Sequence, residues 1–346
     1  MTLKLNSLNS SSDISDCNSR VLIIGGGVAG MSCALWLKQL GLLPEIIEKN
    51  ASLGGQLQDI DRINRWVLGF KGLTSQELAQ QYSNHIIAED IPVIYNSKIV
   101  AIENTASGYQ VYLQQNAENL DVLLCQAIVI ATGARSIGSE VFCKTVGFNS
   151  LFFAGLIGCF PTDHLEQLES LRDKTVAVIG GGDNAHYTTH DVASVAVKTY
   201  LLIRSQPKSN KKIRNEVKFL IDRGRVIEYT SVQIIEFSQI EDKIELTLSS
   251  SNEVLTKIQV DRVFVRIGYA ANSEFLLTLD NVKNIKTQTG GYIETDAERR
   301  TSIASVYAVG DVANLELQSV VTAIADGAIA ARTIAKDIDK HEVCRC

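Results

Sequence analysis

The sequence predicts an α/β protein built from two parallel-stranded units, the first interrupted by the second. Three observations carry this. Arg20-Val21-Leu22-Ile23-Ile24 and Thr175-Val176-Ala177-Val178-Ile179 are short runs rich in β-branched apolar residues, the pattern of strands buried on both faces of a parallel sheet. Each run ends in three glycines and leads into a helical pattern, and the second turn comes 155 residues after the first. That offset is far too long for a solenoid repeat. The length, 346 residues, suits about two domains of ~150 residues each.

Composition narrows the function. With 33 Lys+Arg against 39 Asp+Glu, the formal charge is −6, which argues against a nucleic-acid binder with a basic stripe. At 45% hydrophobic and 21% charged residues, the chain suits a packed core rather than disorder. No stretch is long and apolar enough for a transmembrane helix, so no membrane partner is expected. Residues 1–19 are rich in Ser and Asn without an apolar segment. They read as a flexible tail rather than a secretory signal, and imply a cytoplasmic protein. The seven cysteines, at 17, 33, 125, 143, 159, 344 and 346, are too irregular for a disulfide framework.

After the first glycine turn the pattern predicts a helix over Met31–Leu40, a strand over Glu45–Glu48, a helix over Ser75–Glu89, and strands at Pro92–Tyr95, Gln110–Leu113 and Ala127–Ala131. After the second turn it predicts strands at Thr199–Ile203, Val226–Thr230, Ile234–Ile240, Lys243–Leu248 and Gln259–Arg266, with a helix over Lys211–Arg223. The chain closes with a strand at Ser305–Val309 and a helix from about Ser319 to Ile338.

The first turn is a full GxGxxG: Gly25, Gly27 and Gly30. Such glycines allow a tight turn, close backbone approach to a pyrophosphate, and close helix–strand packing. The helix N-terminus then presents free N–H groups and the positive end of its dipole. Glu48, 18 residues past Gly30 at the end of the next strand, is placed for ribose hydroxyls. Three further pieces favour FAD in this unit: Gly54-Gly55-Gln56-Leu57, Ala131-Thr132-Gly133-Ala134, and Tyr307-Ala308-Val309-Gly310-Asp311. The Gly310-Asp311 turn offers a carboxylate to the ribityl or phosphate side. It also precedes a helix whose N-terminus would face the flavin pyrimidine. In the second unit, Gly180, Gly182, Asp183 and Asn184 form the corresponding phosphate turn.

Taken together, the order GxGxxG, GGQL, ATGA, second GxGxxA and GD resembles the low-molecular-weight thioredoxin reductases and the thioredoxin-reductase-like ferredoxin–NADP reductases, from about Arg20 to Ile338. The resemblance implies an FAD domain interrupted by an NAD(P)H-binding domain, and a homodimer. It implies FAD contacts from Glu48, Gln56 and Asp311, and places Thr322 in the flavin helix. It also implies a flavin-flanking loop and helix at Gly69-Phe70-Lys71-Gly72-Leu73 and Gln76-Glu77-Leu78. A thioredoxin-like disulfide substrate is the implied partner, with ferredoxin or flavodoxin as a possible electron donor.

The chain also departs from that pattern. Thioredoxin reductases carry a CxxC shortly before the second glycine turn, where this chain has only Cys159. Acids usual after that turn are replaced by Asn184-Ala185-His186-Tyr187-Thr188-Thr189-His190, and of the arginine cluster for a 2′-phosphate only Arg204 remains. The second site therefore reads as NAD(P)H, a second flavin stacked on Tyr187, or no ligand. His186 and His190 lie four residues apart, a metal-ligand spacing. With no third ligand, they read as helix-surface histidines, and no metal is expected. Cys344-Arg345-Cys346 is the closest-spaced cysteine pair. Arg345, with Lys340 and His341 before it, favours thiolate, and a disulfide across one residue closes a small, strained ring.

The expected organisation is a tail over 1–19, an FAD domain over 20–134 and 266–338, a nucleotide domain over 135–265, and a C-terminal tail over 339–346. The first functional reading is an FAD-dependent disulfide oxidoreductase using Cys344 and Cys346. The alternatives are a ferredoxin or flavodoxin–NAD(P)H reductase, and a flavin-binding sensor without catalysis.

Overall fold

The computed structural model describes residues 4–5, 19–60, 62–115, 119–250 and 255–343. Five helices of more than ten residues organise it: Val28–Gln39 (α1), Ser75–Ala88 (α2), Asp183–Val195 (α3), Lys211–Asp222 (α4) and Val320–Val343 (α5). The chain separates into two compact units, residues 1–135 with 270–346, and residues 136–269.

Unit 1 is built on a five-stranded parallel sheet in the order Val306–Ala308, Ala127–Ile130, Arg20–Ile24, Leu43–Ile47, Val93–Ile94. Alternate side chains of its central strand serve two cores. Val21 and Ile23 pack with Leu37 of α1 and with Ala330 and Ile334 of α5. Leu22 and Ile24 pack on the other face with Val111 and Leu113 of an antiparallel layer. Both faces are thus covered, as an all-apolar strand requires. α1 and α5 touch closely: a Cβ on Gly327 would lie 2.5 Å from the Ala29 carbonyl oxygen.

The antiparallel layer contains Lys98–Thr105, Gly108–Gln114 and Asn119–Cys125, with Lys4–Leu5 adding a parallel strand at its edge. Of these strands the sequence pattern signals only the middle one. Lys98–Thr105 buries Ile102 and exposes most of its other residues, so its alternation is weak. Lys4–Leu5 also places strand inside the segment expected to be a flexible tail.

Unit 2 holds a second five-stranded parallel sheet, in the order Ile157–Gly158, Arg262–Val265, Thr175–Ile179, Lys198–Ile203, Val226–Thr230. An antiparallel sheet of Val232–Ile240, Lys243–Ser250 and Leu255–Val260 accompanies it. The single strand expected over Gln259–Arg266 is in fact two strands in different sheets. They divide at Asp261, whose carboxylate accepts from Thr175 N at 2.7 Å and from Lys243 Nζ at 2.7 Å. Those bonds fix the point where the chain changes sheets.

The last helix also differs from expectation. α5 has 24 residues and ends at Val343, so the tail expected from 339 is helical through 343. At 1.5 Å per residue its axis runs ~36 Å. Cys17, Cys344 and Cys346 lie outside the described residues.

Candidate nucleotide and redox sites

In unit 1 the glycines of the first turn differ in what surrounds them. Gly25 has φ +111°, and a Cβ there would meet the Ala131 carbonyl oxygen at 2.4 Å. A Cβ on Gly30 would lie 2.1 Å from the Gly25 carbonyl oxygen. These two glycines are demanded by the fold itself. At Gly27 a Cβ would find nothing nearer than the Gly55 Cα, 4.0 Å away. That space lies at the start of α1, where Gly27 is the N-cap, no side chain caps the helix and no acid stands in the first turn. The helix therefore keeps free N–H groups beside an open cradle, the arrangement that receives a pyrophosphate.

Glu48 closes one side of the cradle. Its buried carboxylate accepts from Gly26 N at 2.7 Å and from Asn50 N at 2.8 Å. Gly55, at φ +55°, brings its own turn against Gly27. Gln56 Nε2 donates to the Ala134 carbonyl oxygen at 2.9 Å and to Asp311 Oδ2 at 3.3 Å. Gly133 lies beside the same Gln56 nitrogen. Gly310 has φ +71° and starts the turn that carries Asp311.

One acid outside the sequence motifs supports this turn. Asp326, buried in α5, accepts from Gly310 N at 3.2 Å and is ion-paired with Arg299 at 2.5 Å. Burial, with Asp326 nearby, raises the Asp311 carboxyl to about 6. Asp326 was visible as an acid inside the apolar run Val320–Ala331, which is costly unless it is partnered.

The two threonines named from sequence are committed to structure. Thr132 Oγ1 donates to the Asn272 carbonyl oxygen at 2.7 Å, and Asn272 Nδ2 donates back to the Thr132 carbonyl oxygen at 3.0 Å. Thr322 Oγ1 lies 2.9 Å from Ser319 Oγ, and Ser319 Oγ accepts from Thr322 N at 3.2 Å, capping α5. Serine just before an apolar helical run is the signal that could have identified this cap.

Unit 2 repeats the first cradle. Gly180 has φ +141°, and its Cβ would lie 2.1 Å from the Arg266 carbonyl oxygen. Around Gly182 nothing lies within 4 Å of a Cβ, and this glycine is the N-cap of α3 with no side-chain cap. Asp183 Oδ1 accepts from Asn210 N at 2.6 Å, and Asn184 Nδ2 donates to Tyr269 Oη at 3.3 Å. Tyr187 is half-buried, whereas Arg204 is exposed just past the strand end.

His186 corrects the sequence reading. It is fully buried rather than on the helix surface, because α3 packs on both the sheet and α4. Its Nδ1 lies 3.0 Å from the Gly182 carbonyl oxygen, its Nε2 has no partner, and burial pulls its pKa below the usual range. Among the described residues no group of three His, Cys, Asp or Glu is arranged to hold a metal.

The segment before the second turn carries a buried charged network in place of a dithiol. Arg266, 4% exposed, is ion-paired with Asp163 and donates to Thr188 Oγ1 at 3.2 Å and to the Gly158 carbonyl oxygen at 3.3 Å. His164, wholly buried, lies 3.1 Å from Asp191 Oδ2. Burial and the nearby Asp163 push the Cys159 thiol up to about 12. Cys143 is exposed, while Cys33 and Cys125 are buried.

Two open glycine cradles, each at an uncapped helix N-terminus past a parallel strand, give an α/β protein with two turns of the dinucleotide-binding type. The family model described as pyridine nucleotide-disulphide oxidoreductase matches residues 19–327. The chain belongs to that family. It is 29% identical to a thioredoxin reductase of Buchnera aphidicola subsp. Schizaphis graminum, over 91% of this chain and 95% of the relative. It is 25% identical to a thioredoxin reductase of Mycoplasma genitalium, over 92% and 95%. The fold is shared with the crystal structure of T. acidophilum thioredoxin reductase, at 22% identity and TM-score 0.76, over 92% of this chain and 99% of that one. The protein is a thioredoxin-reductase-like, FAD-dependent oxidoreductase.

Proposed function

We propose that this chain is an FAD-dependent disulfide oxidoreductase whose dithiol is Cys344 and Cys346. The observation that carries the cofactor assignment is the cradle at Gly27, open to a phosphate and otherwise enclosed by Glu48, Gly55 and the α1 N-terminus. When bound, FAD accepts and passes on electrons in pairs. In this reading Gly25, Gly27 and Gly30 shape the pyrophosphate turn, Glu48 binds ribose hydroxyls, and Asp311 with Gln56, Gly133 and Gly310 faces the ribityl side. Thr132 and Thr322 hold the surrounding backbone in place. In unit 2, Gly180, Gly182 and the backbone N–H groups of Asp183 and Asn184 at the start of α3 receive the phosphates of a nicotinamide nucleotide, with Tyr187 beside its ring and Arg204 as the remaining arginine for a 2′-phosphate, near Lys208, Lys211 and Lys212. With one arginine there, NADPH is a slow reductant of this protein, and ferredoxin or flavodoxin is a possible donor.

The assignment of the dithiol rests on the state of the other thiols. Among the described cysteines, Cys33, Cys125 and Cys159 are buried and Cys143 is exposed. A thiolate of the terminal pair attacks one sulfur of a thioredoxin-like disulfide and expels the other as a thiol. The second terminal thiol then breaks the mixed disulfide, so the acceptor gains two electrons and two protons and Cys344–Cys346 becomes a disulfide. Its return to the dithiol takes two electrons and two protons. α5 spans ~36 Å, so the tail serves the flavin of the other subunit in a homodimer, where two-fold symmetry offers each protomer the same surface.

The test counts flavin per purified chain, then follows thioredoxin reduction with dithionite as donor in the native protein and in a chain lacking residues 343–346. A yellow protein whose turnover vanishes on truncation supports both assignments. A colourless protein that takes up no FAD removes the first. Unchanged turnover removes the second and makes Cys143 with Cys159 the next candidate for the redox centre.

A further inference from the structure

We propose that the loop Arg65–Gly72 is a docking platform for a small acidic redox protein, an inference that rests on unit 1 being the flavin-bearing unit. The loop is pinned at its base by the Ile63–Thr74 bridge and by Asn64 N donating to the Leu73 carbonyl oxygen at 2.8 Å. Its inner residues, Val67 and Phe70, pack on the cluster of Leu57, Leu78 and Ala79. That cluster includes Val28 and Val320, the first residues of α1 and α5. The loop therefore stands on the two helix N-termini that border the proposed flavin site.

Trp66 is 77% exposed and Leu68 97%. Leaving such side chains in water forgoes the gain of burying them, and exposed apolar groups close together mark a contact surface. Arg65 and Lys71 flank them, both exposed and in no ion pair among the described residues. The chain as a whole is −6. An acidic partner is repelled by most of this surface and attracted here, which selects the orientation of encounter.

Other occupants fit less well. Two cations give an anionic membrane only ~2 kcal/mol at about 1 kcal/mol each, set against a net-negative protein. A second copy of the chain meeting face to face would bring Arg65 and Lys71 against their own like charges.

The test measures binding of three probes chosen for acidic surfaces, a thioredoxin, a ferredoxin and a flavodoxin, by calorimetry at low and high salt. At least one is expected to bind, with affinity falling about tenfold as the Debye length shrinks from ~20 to ~8 Å. Arg65→Glu, and separately Trp66→Ser with Leu68→Ser, should each weaken binding about tenfold or more. Flavin content and dithionite reduction should stay unchanged in both. The inference is overturned if no probe binds, if either variant binds like the native protein, if phosphatidylglycerol vesicles sediment the native chain but not the variants, or if the variants change the oligomeric state. The binding measurement does not require flavin, so a colourless protein would defeat the cofactor reading separately.

Discussion

Gln56 Nε2 donates a hydrogen bond to Asp311 Oδ2 at 3.3 Å, joining two turns that lie 255 residues apart in the chain. The same nitrogen holds the Ala134 carbonyl oxygen at 2.9 Å. Three sequence segments, GGQL, ATGA and GD, thereby meet at one side chain. The carboxyl they share is already unusual, since burial and then Asp326 raise it to about 6.

That shift gives a pH dependence with a definite sign. The unfolded chain releases the Asp311 proton near pH ~4, whereas the folded chain without cofactor holds it to about 6. Between those values the folded state binds more protons, so stability falls as pH rises, by roughly 3 kcal/mol in all. Asp311→Asn should remove this slope. The melting temperature of the cofactor-free variant should exceed that of wild type more at pH 7 than at pH 4. A difference that is constant with pH would refute the account.

The two kinds of glycine in the first turn separate in experiment. Gly27→Ala adds a methyl group into open space at φ −75°, a conformation any L residue adopts. It should fold with native melting behaviour yet lose most of its FAD, because the methyl group takes phosphate space. Gly30→Ala drives a methyl group onto the Gly25 carbonyl oxygen and should fail to fold. Native FAD content in Gly27→Ala would show that the cradle is not the pyrophosphate site.

Thiol chemistry should divide by exposure. Cys143 is exposed, while burial pushes Cys159 up to about 12. In native protein at pH 8, iodoacetamide should label Cys143 and spare Cys159, as mapped by mass spectrometry. Cys143→Ala and Cys159→Ala should each retain disulfide turnover, whereas Cys344→Ser and Cys346→Ser should each abolish it. Loss of turnover in Cys159→Ala with an intact fold would move the redox centre to unit 2.

Arg266 and Asp163 form an ion pair whose arginine side chain is 1% exposed. Removing one partner strands a buried charge, which costs roughly 3–5 kcal/mol. Arg266→Met and Asp163→Leu should each lower stability by that order in urea unfolding, and the double variant should lose less than the sum of the two. Additive losses would mean that the pair is not coupled.

The glycine turns, the strands before them and the Glu48 acid were legible because each is a local signal. A β-branched run, a positive-φ glycine and an acid at a fixed offset depend on a few neighbouring residues. Val226–Thr230 was read to the residue, since Val, Ile, Tyr and Thr, all strand formers, fill it around Glu228. Lys98–Thr105 was missed because a largely solvated strand has little periodicity.

The amino-acid order alone reveals two strand–glycine–helix units, an acid, Glu48, at the end of the strand after the first turn, and no CxxC before the second turn. The packing of distant segments is what bonds Thr132 to Asn272, encloses His186, and buries Cys159 with its thiol pushed up to about 12. It alone joined Asp326 to Arg299 and Gly310, and Arg266 to Asp163 across 103 residues. The physical reason is the range of the forces involved. Backbone geometry is set by adjacent residues, but burial, and the pKa shifts and pairings it compels, are set by whatever the fold packs alongside.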